Sequence, residues 1–245
     1  MPSFLITGTD TGIGKTLVGC GIASAVTEMG QKVGVLKPVE TGCEVLDDGD
    51  LYPSDAMLLA TYANSSAPLY QICPFRYELP LAPYAAAKLE KNPIHPEKLK
   101  ALFENHTRDY ELVIVEGAGG LLVPITTTYT FADLAMDLQI PTLVVVGSRL
   151  GALNHALLTF HYLRAYSIPI LGYVLNHPTS TSNVSIKTNP QSLSELTDVP
   201  CLGILPFLDL TGDLEKDRPV IQNAAINCLD LPKLLKRIDP GFETK

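Results

Sequence analysis

Phe4-Leu5-Ile6-Thr7-Gly8-Thr9-Asp10-Thr11-Gly12-Ile13-Gly14-Lys15-Thr16 reads as a short apolar strand that empties into a glycine-rich turn and then into a helix. Nearly unbroken apolar character over Phe4 to Thr7 fits a strand covered on both faces. The glycines that follow let backbone N–H groups converge on an anion, and the start of the next helix adds the positive end of its dipole. In that setting Lys15 reaches the outer phosphates of a nucleotide, and the Thr16 hydroxyl is a Mg²⁺ ligand. The common loop has four residues between its first glycine and the Gly-Lys pair. Here Gly8 and Gly14 enclose five, so the loop is one residue longer.

Outward from this loop the same pattern repeats. Val33–Lys37, Leu112–Glu116, Thr142–Val146, Ile170–Asn176 and Cys201–Leu205 are further short runs rich in apolar and β-branched residues. They alternate with longer segments of helical period. Lys15 to Met29 places Val18, Ile22, Val26 and Met29 on one stripe, with Gly30 as C-cap. Gly151 to Ala165 carries Leu153, Leu157 and Phe160, and Pro96 to His106 carries Leu99 and Leu102. Between Cys43 and Pro93 the chain is rich in Pro, Ala and Tyr, which predicts irregular structure around one helix starting near Ser54. Repeated βα units without a visible linker predict one α/β domain over residues 1–245, a doubly wound, mostly parallel sheet flanked by helices, of the P-loop NTPase type.

The formal net charge of -8 disfavours a nucleic-acid surface, which needs a concentrated positive field. Five scattered cysteines without a CxxC pair fit reduced thiols in the cytoplasm better than a disulfide scaffold. No export signal is read at the N-terminus, and the apolar runs fall far short of the ~20 residues that span a bilayer.

Three further side chains fit a nucleotide site. Glu116 ends an apolar strand before Gly117-Ala118-Gly119-Gly120, at the carboxyl edge of the sheet where doubly wound folds bind ligands. Mg²⁺ takes hard oxygen ligands, so a carboxylate there suits it. Lys37 closes the second strand ahead of Pro38-Val39-Glu40-Thr41-Gly42, which turns the chain and aims the ammonium at the same edge; a solvated strand-end lysine is the plain alternative. Asp55 in Ser54-Asp55-Ala56 fits either a metal ligand or a carboxylate complementing a helix dipole.

Taken together, the lengthened Gly8-Thr-Asp-Thr loop, Lys37-Pro-Val, Ser54-Asp55, Val115-Glu-Gly-Ala-Gly-Gly120, Thr130-Phe-Ala-Asp133, Gly151 to His155 and Asn176 resemble the ATP-dependent dethiobiotin synthetase family. The resemblance implies conversion of 7,8-diaminononanoate, CO₂ and Mg-ATP to dethiobiotin, ADP and phosphate, through a carbamate and a carbamic-phosphoric anhydride. It also implies residue roles. Lys15 and Lys37 are the charge stabilisers, and Thr16, Asp55 and Glu116 are the Mg²⁺ ligands. Gly12, Ile13, Gly14 and Leu17 join the nucleotide site, with Gly117, Ala118 and Gly119 passing beside the phosphates. Asn176, with His177 next to it, serves the adenine, as do Pro206, Phe207, Leu208 and Asp213. Thr11 and Thr41 belong to the substrate end. The family is dimeric, so Gly151, Ala152 and Asn154 are expected to hold the substrate carboxylate at a helix start supplied by the neighbouring subunit. Gly12 departs from the family where some members carry glutamate.

His95, His106 and His177 read as isolated and exposed, none of them a catalytic base. Cys43, near the substrate turn, reads as an inert thiol. Thr179 to Pro200 reads as a mobile connection before a helix, without assigned function. A partitioning ATPase and a cobyrinate-type amide synthase are the rival readings. Asp10 and Thr11 stand where the first carries an early lysine, and no glutaminase-like domain with a catalytic Cys is visible for the second.

Overall fold

A computed structural model describes residues 1–181 and 184–242. The chain begins with β1 (Ser3–Gly8), α1 (Lys15–Glu28), β2 (Val33–Leu36), β3 (Val39–Thr41), β4 (Glu44–Val45), β5 (Leu51–Tyr52), α2 (Ser54–Tyr62) and α3 (Leu69–Ile72). It continues with β6 (Phe75–Tyr77), α4 (Pro83–Leu89), α5 (Pro96–Asp109), β7 (Leu112–Gly120), α6 (Phe131–Leu138) and β8 (Thr142–Gly147). Last come α7 (Ala152–Ala165), β9 (Ile170–Asn176), α8 (Val184–Leu196), β10 (Cys201–Leu205), α9 (Leu214–Cys228) and α10 (Leu231–Ile238).

All six expected apolar runs pair in one sheet, in the order β10-β9-β8-β1-β7-β2, and every neighbouring pair is parallel. Parallel strands bury both faces, and side chains alternate between them. Thus Phe4 and Ile6 of β1 join a core with α1, α2, α9 and α10. Leu5, between them, joins the opposite core with α4, α5, α6, α7 and α8. From central β1 the chain crosses to β2 at one edge, whereas β7 leads across β1 to β8 on its other side. That reversal opens a crevice at the carboxyl ends of the strands.

Helix α1 departs from a one-faced amphipathic helix, being buried from Val18 through Val26. It lies between the sheet and two other helices, and its small residues let them approach. A Cβ on Gly19 would stand 2.8 Å from Leu59 Cδ2 of α2, and one on Gly21 would stand 2.8 Å from Ala225 Cβ of α9.

Other expectations are corrected. Residues 43–93 are more regular than composition suggests: α2 starts at Ser54 as expected, but α3, α4, the short pair β4–β5 and β6, which pairs with β3 just ahead of this stretch, accompany it. The stretch 179–200 is largely α8, with Asn189 and Leu193 buried, so a connection without structure is the wrong description of its described residues. His106 is buried, its Nδ1 3.1 Å from Leu102 O, and His177 is half-buried; only His95 of the three is exposed.

Candidate active site

The glycine-rich loop closes over the C-terminal end of β1. Thr9 N donates to Val145 O at 3.0 Å, which ties the loop to β8. Gly14 has φ +89 and forms the N-cap of α1, a left-handed conformation that disfavours any side chain. A Cβ there would also meet Asn176 Nδ2 at 2.1 Å. Asn176, at the end of β9 and buried, instead donates from Nδ2 to Ile13 O at 2.7 Å. Its Oδ1 has no protein partner and is left to accept from something else. The expected adenine residue therefore braces the loop's backbone and keeps one free acceptor.

Four chemistry-bearing side chains meet below the loop. Glu116 is fully buried. It lies within β7 rather than at its end, because the strand continues through the glycines to Gly120, which pairs with Gly8 of β1. Its Oε1 accepts from the Thr16 hydroxyl at 2.8 Å and from Lys37 Nζ at 2.5 Å. Lys37, just past β2, also donates to Asp55 Oδ2 at 2.9 Å. Burial alone pulls the Lys37 ammonium down, but the two carboxylates outweigh it and hold the group well above its ordinary value. Lys37 therefore stays charged at neutral pH and is a charge donor, not a base. Burial pushes Asp55 up, but Lys37 reverses this and its carboxyl ends below the usual range. Lys15, on the first turn of α1, donates to Asp10 O at 3.1 Å; burial and then the Lys37 ammonium pull it below the usual lysine value.

Lys15, Thr16, Lys37 and Asp55 line one cleft of about 770 Å³ together with Thr11, Gly12, Gly14, Glu40, Thr41, Ala118, Gly119, Val123 and residues 80–83, and Glu116 lies buried behind them. Gly119 has φ +66, and a Cβ on it would stand 2.8 Å from Val123 Cγ2 and 3.2 Å from Thr11 Oγ1, so the strand-end glycine is what lets β7 pass beside the loop. Thr130-Phe-Ala-Asp133 turns out to be a capping box. It starts α6 so that Phe131 packs under Gly117, where a Cβ would be 3.3 Å from the ring.

The remaining expected residues lie outside this cleft. Pro206, Phe207 and Asp213 are exposed and Leu208 half-exposed in the segment between β10 and α9. Asp213 Oδ1 already accepts from Glu215 N at 3.0 Å as the N-cap of α9. Leu17 is packed against the α1 core. Gly151, with φ +93, caps α7, Ala152 is buried and Asn154 faces outward. Cys43 is buried beside the cleft, and burial pushes its thiol up to about 11, in keeping with an inert group. Three contributors went unread: Glu40, Val123, and the cleft wall at Pro80 to Pro83. Glu40 was quoted only as part of a turn, and nothing in residues 80–83 beyond their prolines marks them in sequence.

Comparison with known proteins places this geometry. The family described as an AAA domain matches residues 3–214. The ATP-dependent dethiobiotin synthetase BioD of Thermodesulfovibrio yellowstonii is 40% identical over 240 residues, covering 95% of this chain and 98% of that protein. Those of Aquifex aeolicus and Bacillus subtilis are 42% and 36% identical, over 83% and 85% of this chain and 86% and 88% of theirs. Among solved structures, the MinC:MinD cell division complex of Aquifex aeolicus aligns with a TM-score of 0.55 at 13% identity, over 99% of this chain and 97% of that one. MinD of Pyrococcus furiosus gives 0.51 at 17%, over 98% and 99%. At such identity these two speak for the P-loop fold alone. These sequence relatives, 36–42% identical over 83–95% of this chain, show that it belongs to the ATP-dependent dethiobiotin synthetase family.

Proposed function

We propose that the protein is an ATP- and Mg²⁺-dependent cyclo-ligase that carboxylates 7,8-diaminononanoate and closes the ureido ring of dethiobiotin, in biotin biosynthesis. The observation that carries this reading is the buried Lys37 ammonium held between Glu116 and Asp55 at the mouth of the phosphate loop. One substrate amine adds to CO₂ and loses a proton, giving a carbamate. A carbamate oxygen attacks the γ-phosphorus of ATP and ADP leaves. The second amine then attacks the mixed anhydride carbonyl, loses its proton and expels phosphate. Each step moves negative charge, so positioning and charge stabilisation do the catalytic work and no protein nucleophile is needed. Lys37, permanently charged, stabilises the carbamate and phosphoryl oxygens from one side, and Lys15 the phosphates from the other.

The donor set fits Mg²⁺. Thr16, Glu116 and Asp55 offer hard oxygens, and Glu116 Oε2 is buried without a partner, an acceptor suited to a cation. Few protein ligands are what Mg²⁺ requires when nucleotide phosphates and water fill its remaining positions. Bound there, it would neutralise phosphate charge; the chain's own share is to hold its two carboxylates and the Thr16 hydroxyl in one place.

Thr11 and Thr41 are assigned to the substrate amine or carbamate, as both line the cleft. Gly12, Ile13 and Gly14 cradle phosphate with Gly117 to Gly119, Leu17 flanks them, and Asn176, His177, Pro206 to Leu208 and Asp213 form the adenine side. The free Asn176 Oδ1 supports that side. The substrate carboxylate is assigned to Gly151, Ala152 and Asn154 of a second subunit. Leu150, just ahead of α7, and Leu158, midway along it, are both strongly exposed, which supports a homodimer. All five cysteines are free, which supports a reducing cytoplasmic setting, and no helix among the described residues is long and apolar enough to cross a membrane.

The test is ATP consumption by the purified protein, expected to require diaminononanoate and bicarbonate together. Equal hydrolysis with neither would refute the synthetase reading. Lys37→Gln is expected to lower kcat far more than ATP affinity, since its partner is charge that develops during reaction.

A further inference from the structure

Helix α2 carries Asp55 but has no cap of its own. The first N–H groups of any helix need acceptors, usually a Ser, Thr, Asp or Asn side chain at the N-cap. Here that position is Pro53, whose side chain has no acceptor. Glu40, from β3, does the work instead. Its Oε1 accepts from Asp55 N at 2.9 Å and from Ser54 Oγ at 3.4 Å, and its Oε2 accepts from Ala56 N at 2.9 Å. Asp55 and Ala56 are the second and third residues of α2, the ones whose N–H groups an N-cap side chain ordinarily serves. Glu40 is buried, and both its oxygens are engaged with α2, so it has little left to offer a ligand directly.

We infer that Glu40 is a positioning residue of the active site, capping α2 from a different element and thereby setting where the Asp55 carboxylate stands relative to Lys37 and Mg²⁺. The backbone N–H of Asp55 is bound by Glu40 while its side chain meets Lys37 Nζ at 2.9 Å. Only Pro38 and Val39 separate Lys37 from Glu40 in the chain, so one short segment fixes both the ammonium and its carboxylate partner. The inference rests on the proposed role of Asp55 as a Mg²⁺ ligand. Outer partners of metal ligands typically contribute 10–100-fold to metal affinity or activity.

The experiment compares wild type, Glu40→Ala, and Glu40→Ala with Pro53→Asn, which puts an ordinary capping side chain at the start of α2. Two readouts are taken: the Mg²⁺ concentration for half-maximal dethiobiotin formation, and the hydrogen exchange of the Asp55 and Ala56 amides in protein free of metal and nucleotide. Glu40→Ala is expected to raise the Mg²⁺ requirement about tenfold or more and to speed exchange at both amides. Pro53→Asn is expected to reverse both effects. An unchanged Mg²⁺ requirement in Glu40→Ala overturns the inference. So does a double variant that regains amide protection but keeps the Mg²⁺ defect, for Glu40 would then act on the ligands and not through α2. Should Glu40→Ala not fold, Glu40→Gln, which keeps one acceptor, is expected to show the same changes at smaller size. If wild type makes no dethiobiotin, the functional reading fails instead, and the amide exchange still decides whether Glu40 is the cap.

Discussion

Replacing Lys37 by Met removes the ammonium and keeps most of the side chain's bulk. Glu116 is then a fully buried carboxylate whose Oε2 already lacks a partner and whose Oε1 keeps only the Thr16 hydroxyl. Breaking a buried pair by removing one partner costs about 3–5 kcal/mol. The Lys37–Asp55 contact adds little, because Asp55 is 42% exposed and such pairs contribute about 1 kcal/mol or less. For a chain of this size each kcal/mol lowers Tm by about 2–4 °C, so a fall of roughly 6–20 °C is expected at pH 7.

The deficit has a sign in pH. Burial pushes the Asp55 carboxyl up, but Lys37 outweighs it and holds it below the usual range in the folded protein, so this contact gives stability that is present above the unfolded value and lost as pH falls through the folded one. Lys37→Met removes that contribution, so its deficit is complete at neutral pH and shrinks, never grows, as the medium turns acid enough to protonate Asp55. Adding Glu116→Gln to Lys37→Met removes the orphaned charge and is expected to recover most of the loss, as replacement of both partners often does. Urea unfolding of wild type, single and double variants without nucleotide, at pH 7 and pH 5, measures this. A single variant losing less than about 1 kcal/mol at pH 7, or a deficit that grows toward pH 5, would refute the reasoning.

Gly14→Ala places a methyl on a residue at φ +89, 2.1 Å from Asn176 Nδ2; strain of about 1–3 kcal/mol and a large loss of ATP affinity are expected, and titration with a fluorescent ATP analogue should show both loop and adenine contacts weakened. Asp217 is a buried carboxylate of α9 that accepts from Thr211 N at 2.8 Å, Thr211 Oγ1 at 2.9 Å and Gly212 N at 2.8 Å, fixing the segment that follows the proposed adenine residues 206–208. Asp217→Ala should therefore raise KM for ATP several-fold while leaving kcat nearly unchanged, and steady-state kinetics that show the reverse would argue that this segment has no part in nucleotide binding.

The sheet was legible because its strands are buried on both faces, and Phe4 to Ile6 or Leu112 to Val115 carry that burial as unbroken apolar runs. Residues 43–93 were not. There β4 to β6 are two or three residues long, too short for a period to show, and α3 and α4 begin after Pro68 and at Pro83, where proline was read as loop. His106 looked exposed because neighbouring Glu104 and Arg108 are polar, yet its face of α5 turns to the core. In the site, Lys15, Thr16, Lys37 and Glu116 each stood in a recognisable local context of strand end or helix start. Glu40 had none, since a residue that caps a helix fourteen positions away leaves no mark within its own segment.

What the sequence by itself determined is therefore local: a lengthened phosphate loop between a buried strand and a helix, a family's set of motifs, and the residue types able to carry charge there. What only the tertiary structure decided is which of those charges meet. Lys37 and Glu116 are 79 residues apart in the chain, and they touch because β7 pairs with β2 on one side and β1 on the other. Strand order, set by which apolar faces helices can cover, brings two buried charges to 2.5 Å and makes a site of what were separate motifs.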